Sequence, residues 1–427
     1  MVGVLGASRN GAYAVAGLCW SGVMQSYSSP RPSAARFGRL ADNPFARLAA
    51  LLAEVEPRVG EPPIAMAVGE PQHEPPALIA RVIAENAALW HRYPSMAGTP
   101  EYRGAAAAWL AQRYRLPEGL VAPDRHLLAL SGTKEGLFQA GLLTVPDEKA
   151  GQRPAVLMPN PFYLVYHGAA AMAGADAVAL DATAATGFLP DLGAIPEALL
   201  ARTALFYLST PANPQGAVAD LGYLKRAIAL ARAYDFVLAV DECYSEIYDA
   251  APPPGALEAC LAAGGSLANV LVFHSLSKRS SAAGLRCGFV AGDPDLIRRF
   301  DRLRAFSGAQ IPLPLQCAAA ALGRDETHVV ANRALYRRKF DVAERCLGER
   351  FGFYRPEGGF FLWLDVGDGE SAAVTLWREA AIRSLPGAYL ARTAADGDNP
   401  GRRYLRLALV HDDATIAAGM ERLASVL

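Results

Sequence analysis

The chain has 427 residues, which is long for a single small core and predicts two units. Hydrophobic residues make up 52% and charged residues 19%, the balance of a packed globular protein and not of a disordered one. Lys and Arg number 41 against 42 Asp and Glu, a net charge of −1, so no overall field draws the chain to nucleic acid or an anionic membrane surface.

Residues 1–41 read as an N-terminal extension without fixed structure. Ala12 to Val23 is apolar and follows Arg9, as in a secretory signal, but glycines interrupt it and only one cation precedes it. A tail is therefore expected, with Met24 a candidate start and the cytoplasm the expected compartment. The stretch Ser26–Ser33 is rich in Ser, Pro and Arg, as linkers are. No apolar run reaches the ~18 residues of a membrane span. The six cysteines, from Cys19 to Cys346, form no Cys-X-X-Cys pair, which leaves zinc ribbons unsupported and predicts free thiols.

Residues 42–75 carry a helical pattern over Asp42–Glu56 and a strand-like run over Ile64–Val68, and are expected to join the smaller unit. Residues 76–308 are expected to form the large domain. Short apolar runs alternate there with helical stretches such as Leu221–Tyr234. Seven runs read as strands: His126–Leu130, Ala155–Met158, Ala177–Leu180, Ala204–Leu208, Val237–Val240, Val270–Phe273 and Gly288–Ala291. Most are apolar throughout, the mark of strands buried on both faces, so a mostly parallel sheet between helices is predicted. Residues 309–427 change character. A helix over Asp325–Glu349, strand-like runs over Gly359–Val366 and Tyr404–Val410, and a closing helix predict a smaller α+β domain.

Polar motifs recur where the large-domain strands end, which is where α/β sheets bind ligands. Ser131-Gly132-Thr133-Lys134 follows a strand and opens a helix. Its backbone N–H groups and hydroxyls suit an anion, although such turns also occur without one. Pro159-Asn160-Pro161-Phe162-Tyr163 offers an aromatic ring that can stack on a flat cofactor or simply pack. In Thr210-Pro211-Ala212-Asn213-Pro214 two prolines stiffen a loop, and the Asn213 amide can donate to a ligand oxygen or belong to a plain turn. Asp241 follows the apolar stretch Phe236–Val240. It either faces a cation, such as a protonated ring nitrogen, or caps the next helix, with Tyr244 three residues on.

Lys278 in His274-Ser275-Leu276-Ser277-Lys278-Arg279-Ser280 stands just past another strand, among hydroxyls, with Arg286 eight positions later. A lysine so placed suits Schiff-base chemistry with a phosphorylated aldehyde, the hydroxyls and the arginine holding the phosphate. A surface lysine in a polar loop is the alternative. Arg406 lies inside an apolar run, and its planar fork suits a carboxylate.

Taken together these motifs resemble the class I/II aminotransferases, the fold-type I enzymes that use pyridoxal 5′-phosphate. The resemblance spans about Asp42 to Leu427. It implies that Lys278 is the Schiff-base lysine and proton shuttle, that Asp241 pairs with the pyridine nitrogen, and that Asn213 and Tyr244 bind the ring oxygen while Tyr163 stacks. It implies a phosphate site of Gly132, Thr133, Lys134, Ser275, Ser277 and Arg286. The substrate carboxylate falls to Arg406 with Gly69 near it. Tyr93 resembles the tyrosine that reaches the phosphate from a neighbouring subunit, which implies a homodimer with shared sites. Finer runs, including Asp241–Tyr248 and Asn399-Pro400-Gly401-Arg402, resemble N-succinyldiaminopimelate aminotransferases of lysine biosynthesis. The implied reaction is ping-pong transfer between an amino acid and 2-oxoglutarate. Gln215 and Ala212 depart from the family pattern beside Asn213. Aminotransferases for aspartate, alanine or aromatic amino acids, and pyridoxal-phosphate carbon–sulfur lyases, share the same residues. Regulators of this fold carry an N-terminal winged-helix domain, for which residues 1–41 are too few.

Overall fold

The computed structural model describes residues 35–427. The signal-like stretch, Met24 and Cys19 lie outside the described residues. Ala35–Arg39, inside the stretch expected to lack structure, form a 3-10 turn, and Arg36 Nη1 donates to Met172 O at 2.9 Å.

The chain is α/β, with a large seven-stranded sheet between helices and a smaller α+β unit. Its strands are β1 (Ile64–Ala65), β2 (Leu127–Leu130), β3 (Ala155–Asn160), β4 (Asp176–Asp181), β5 (Thr203–Ser209), β6 (Val237–Asp241), β7 (Val270–Ser275), β8 (Gly288–Gly292), β9 (Phe361–Asp365), β10 (Ile382–Arg383), β11 (Leu385–Pro386) and β12 (Tyr404–Ala408). The large sheet has the order β2-β8-β7-β6-β5-β3-β4. Pairing is parallel from β7 through β4, and β8 runs antiparallel to both its neighbours.

The near-continuous apolar strands follow from two buried faces. Phe206, Leu238, Val240 and Val272 pack on one side with Leu224 and Leu257. Leu205, Val237, Leu271 and Phe273 pack on the other with Leu137 and Phe300. Side chains alternate along each strand, so every residue meets a helix layer. Helices Thr133–Thr144 and Leu164–Ala173 cover the second face, and Leu221–Ala233 covers the first, its N-terminus capped by the Asp220 carboxylate.

The smaller unit is built on the antiparallel sheet β11-β12-β9 and the parallel pair β1-β10. Ile64 and Met66 share a core with Phe340, Leu362, Leu405 and Met420. Met66 joins the two sheets: its N–H donates to Arg383 O at 2.9 Å and its carbonyl accepts from Ala408 N at 2.7 Å. The expected helix over Asp42–Glu56 is shorter, Pro44–Leu51. Asn43 caps it and Pro44 opens it, while Pro57 disfavours helical geometry at Glu56. The long helix is Thr327–Leu347. Among the described residues no helix is long and apolar enough to cross a membrane.

Candidate active site

The carboxyl ends of β3, β5, β6 and β7 point to one side of the large sheet, and the polar motifs gather there. β7 ends at Ser275 and passes into a single helical turn, Leu276–Arg279. The Ser275 hydroxyl caps that turn by accepting from Ser277 N at 3.1 Å, and it donates to Ser277 Oγ at 2.9 Å. The turn directs Lys278 inward, where its Nζ donates to Gly69 O at 2.5 Å. That amine lies 5.9 Å from the Tyr244 ring centroid and 5.2 Å from that of Phe360. Burial pulls the amine down to about 8; the Arg406 and Arg286 cations act in the same direction, and Cys243 and Glu70 oppose them.

Asp241 ends β6 and is buried. No helix follows directly; the next is Ala256–Ala262, so the capping alternative falls away. The carboxylate accepts instead from Tyr166 OH at 2.8 Å and from Cys243 N at 3.2 Å. Burial raises its pKa, while hydrogen bonds from Cys243 and Tyr166 work the other way. A cationic ring nitrogen is the kind of partner that would offset such burial.

The anion end is built from β2, β7 and the turn before β8. Gly132 has φ +83°, which favours glycine, and takes the approach of Arg286: a Cβ there would lie 2.1 Å from Arg286 Nη2, so the guanidinium would have to shift for any larger residue. Helix Thr133–Thr144 has no side-chain cap, which leaves its first N–H groups free for an anion. Thr133 Oγ1 stands 3.0 Å from Cys243 Sγ, a contact that ties the anion end to the Asp241 loop. Arg286 donates to Ala283 O at 2.9 Å and to Ser131 O at 3.3 Å. The Lys134 side chain is exposed, along an open concavity it shares with Arg286. Tyr163 is half-buried, its ring edge-on to Tyr166 at 5.7 Å, and Asp241, Cys243 and Arg286 all act on its hydroxyl, whose pKa burial raises.

Arg406 comes from the other sheet. It pairs in register with Trp363 on β9 and is 4% exposed. Its Nη1 donates to Asn213 Oδ1 at 3.2 Å and its Nη2 to Ala67 O at 2.7 Å. The guanidinium lies 4.4 Å over the Phe361 ring, and its Nε has no partner. No carboxylate within the described residues forms an ion pair with it. Burial draws its pKa down to about 10, against the pull of Tyr244. A Cβ on Gly69 would lie 2.5 Å from Phe361 Cζ, so the loop can pass between Phe361 and Lys278 only as glycine.

Tyr93 lies apart from this cluster. It is 96% exposed and lines a surface concavity with Trp90, Arg92 and Gln310. Gln215 is buried and donates to Ala182 O at 3.2 Å, while its carbonyl accepts from Tyr354 OH at 2.8 Å. Its amide is thus committed to the end of β4. Sequence reasoning passed over Tyr166, the hydroxyl on Asp241, whose one signal was a phenol in the mostly apolar, alanine-rich run Leu164–Ala173. It also passed over the Phe360–Phe361 floor.

The assembled groups are a depressed amine, a buried acid, an anion cradle and a guanidinium lacking an acid. They fit a flat phosphorylated aldehyde and an amino acid carboxylate. A model of the family described as aminotransferase class I and II matches residues 61–423. The LL-diaminopimelate aminotransferase of Moorella thermoacetica is 32% identical over 389 residues, 90% of this chain and 95% of that protein. The 4-dedimethylamino-4-oxo-anhydrotetracycline transaminase of Streptomyces rimosus is 33% identical, covering 84% of this chain and 92% of its own length. An aminotransferase crystal structure from Neisseria meningitidis superposes with a TM-score of 0.87 at 38% identity, over 92% of this chain and 99% of that one. The probable N-succinyldiaminopimelate aminotransferase of Thermus thermophilus superposes with a TM-score of 0.78 at 25% identity, over 90% of this chain and all of that one.

Proposed function

The chain belongs to the class I and II aminotransferases, which depend on pyridoxal 5′-phosphate, and from that premise we propose both its residue roles and its substrates. The cofactor supplies an electron sink for the substrate α-carbon. Lys278 is the amine that holds the cofactor and then moves the proton at that carbon, a task suited to an amine at about 8. Asp241 keeps the ring nitrogen charged, fixed by Tyr166 and the Cys243 backbone. Thr133, Ser275, Ser277, Arg286 and the N–H groups from Gly132 to Lys134 hold the phosphate. Tyr163 covers the ring, and Asn213 and Tyr244 take its oxygen.

The single observation that carries the substrate class is Arg406, a buried guanidinium with a free Nε and no acid partner among the described residues, beside Asn213. Such a group calls for a carboxylate that arrives and leaves. The amino donor we favour is N-succinyl-LL-2,6-diaminopimelate, with 2-oxoglutarate as acceptor. Support comes from the Thermus relative and from the Asn399-Pro400-Gly401-Arg402 run. Free LL-diaminopimelate is the second reading, favoured by the name of the Moorella relative. A homodimer completes the site in this reading, with Tyr93 reaching across from an exposed rim that includes Trp90.

The test is a half-reaction screen on the cofactor-loaded protein, following loss of the visible cofactor band. N-succinyl-LL-2,6-diaminopimelate, LL-diaminopimelate, aspartate, alanine and phenylalanine form the first set. A faster turn with aspartate, alanine or phenylalanine than with either diaminopimelate would reassign the donor. Pyruvate and ammonia formed without an acceptor would make the protein a lyase.

A further inference from the structure

Lys278 sits on one helical turn, Leu276–Arg279, and a single turn does not hold itself in water. The carbonyls at its end need donors from elsewhere. Asn332, on helix Thr327–Leu347, provides them: its Nδ2 donates to Lys278 O at 3.1 Å and to Arg279 O at 3.3 Å. With the amide turned that way, its Oδ1 can only accept, and His73 Nδ1 stands 2.7 Å from it. His73 must therefore carry its proton on Nδ1, which makes Nε2 an acceptor. Lys339 Nζ meets that Nε2 at 2.5 Å. Burial lowers the His73 pKa, in keeping with a neutral ring.

The bonds all run one way, from Lys339 through His73 and Asn332 to the backbone of Lys278. Lys339 is 1% exposed and has no carboxylate within ion-pair distance among the described residues. Its ammonium lies 5.1 Å from the Tyr336 ring, which also packs 4.6 Å from His73 and 5.2 Å from Phe360. A buried lysine whose one hydrogen-bond partner among the described residues is a histidine is costly to keep for packing alone.

His73 also closes a circuit. It stands four residues after Gly69, whose carbonyl accepts from the Lys278 amine. The His73 carbonyl accepts from Ser281 Oγ at 2.9 Å, just beyond the Lys278 turn. Lys278 is thus held at both ends by one loop, 69–73, and by one amide.

We propose that Asn332, His73 and Lys339 are positioning residues: a relay from the small unit that fixes the backbone of Lys278 and the loop receiving its amine, so that the amine meets the substrate α-carbon in register. None of the three needs to touch the cofactor. The inference rests on Lys278 being the cofactor-bound lysine, so the experiment begins with borohydride reduction and peptide mapping of the wild-type protein. Label on another residue overturns that reading of the site.

With Lys278 labelled, Asn332→Ala and Lys339→Met are compared with wild type as loaded dimers. The expected result is a fall in kcat of about tenfold for Asn332→Ala, the scale of a sub-ångström misplacement, with KM for the amino donor within about twofold. Visible circular dichroism per bound cofactor, which reports its fixed tilt, should fall with it. Lys339→Met should move both readouts in the same direction by a smaller factor. Unchanged kcat and dichroism in both variants, or a loss of thermal stability alone, overturns the proposal. Should Asn332→Ala fail to fold, Lys339→Met decides, because that side chain meets the relay at its far end, at His73, and makes no hydrogen bond to the Lys278 turn.

Discussion

The large sheet and the sheet β11-β12-β9 each carry a buried charged side chain of the candidate site, and the two are held differently. Asp241, at the end of a parallel strand in the large sheet, is fixed by bonds from within its own domain: the Tyr166 hydroxyl and the Cys243 backbone. Arg406, in the middle of an antiparallel strand of the small sheet, spends one nitrogen on Ala67 O and one on Asn213, and leaves Nε without a partner. The first arrangement suits a partner that stays through every turnover. The second suits a partner that exchanges, because a guanidinium fully satisfied by protein would gain little from a substrate carboxylate. In the proposed roles, permanent and transient binding would follow from how completely the chain satisfies its own charges.

The most severe way to break this contrast is to remove the Lys278 amine. Lys278→Ala should lower kcat by about 10⁴-fold, measured as glutamate formation with the preferred donor. Asp241→Asn keeps the shape but loses the charge. It should cost about 10²- to 10³-fold in kcat and weaken cofactor retention on dialysis, with little change in KM for the donor. Arg406→Lys should show the reverse signature, a loss of about 10²-fold in kcat/KM carried mainly by KM, with cofactor affinity unchanged. If Arg406→Lys released cofactor instead, the division between permanent and transient partner would be wrong. Gly132→Ala brings a Cβ onto Arg286 at a φ of +83°. It should raise the cofactor dissociation constant about tenfold and destabilise the fold by ~1–2 kcal/mol in denaturant titration.

The last test is one of pH and needs no substitution. Burial lowers the Lys278 amine to about 8 from its ordinary 10.5, so in the cofactor-free protein it is protonated below about 8 and free above. The rate at which the apo protein takes up the aldehyde cofactor should rise by up to about tenfold per pH unit as pH approaches 8 from below, then level off. A rate still climbing from pH 9 to 10 would place the amine in a far more solvated setting than the structure gives it.

Much of the large-sheet side of this contrast was legible in the sequence. Asp241 follows an apolar run directly, and Asn213 and Lys278 each come five residues after one, so a strand-end reading places them together without knowledge of the fold. Arg406 was legible for a different reason, as a cation in an apolar strand. Tyr166 was not, because a tyrosine in an alanine-rich helix reads as packing until the helix is laid against β6. The relay through Lys339, His73 and Asn332 was hidden more deeply: its members are 266 and 259 residues apart in sequence, and only the folded chain shows which faces of Thr327–Leu347 turn inward. Lys134 shows the converse limit, since a motif locates a backbone N–H but not the direction of a long side chain.

Arg406 and Ala67 both belong to the strands and loop of the small unit, whereas Asn213 hangs from the large one. A swing of the small sheet relative to the large would carry Arg406 and Ala67 together and leave their bond untouched, while the Asn213 contact would stretch. That amide–guanidinium pair would therefore report any such swing, which the internal bonds of either half cannot sense.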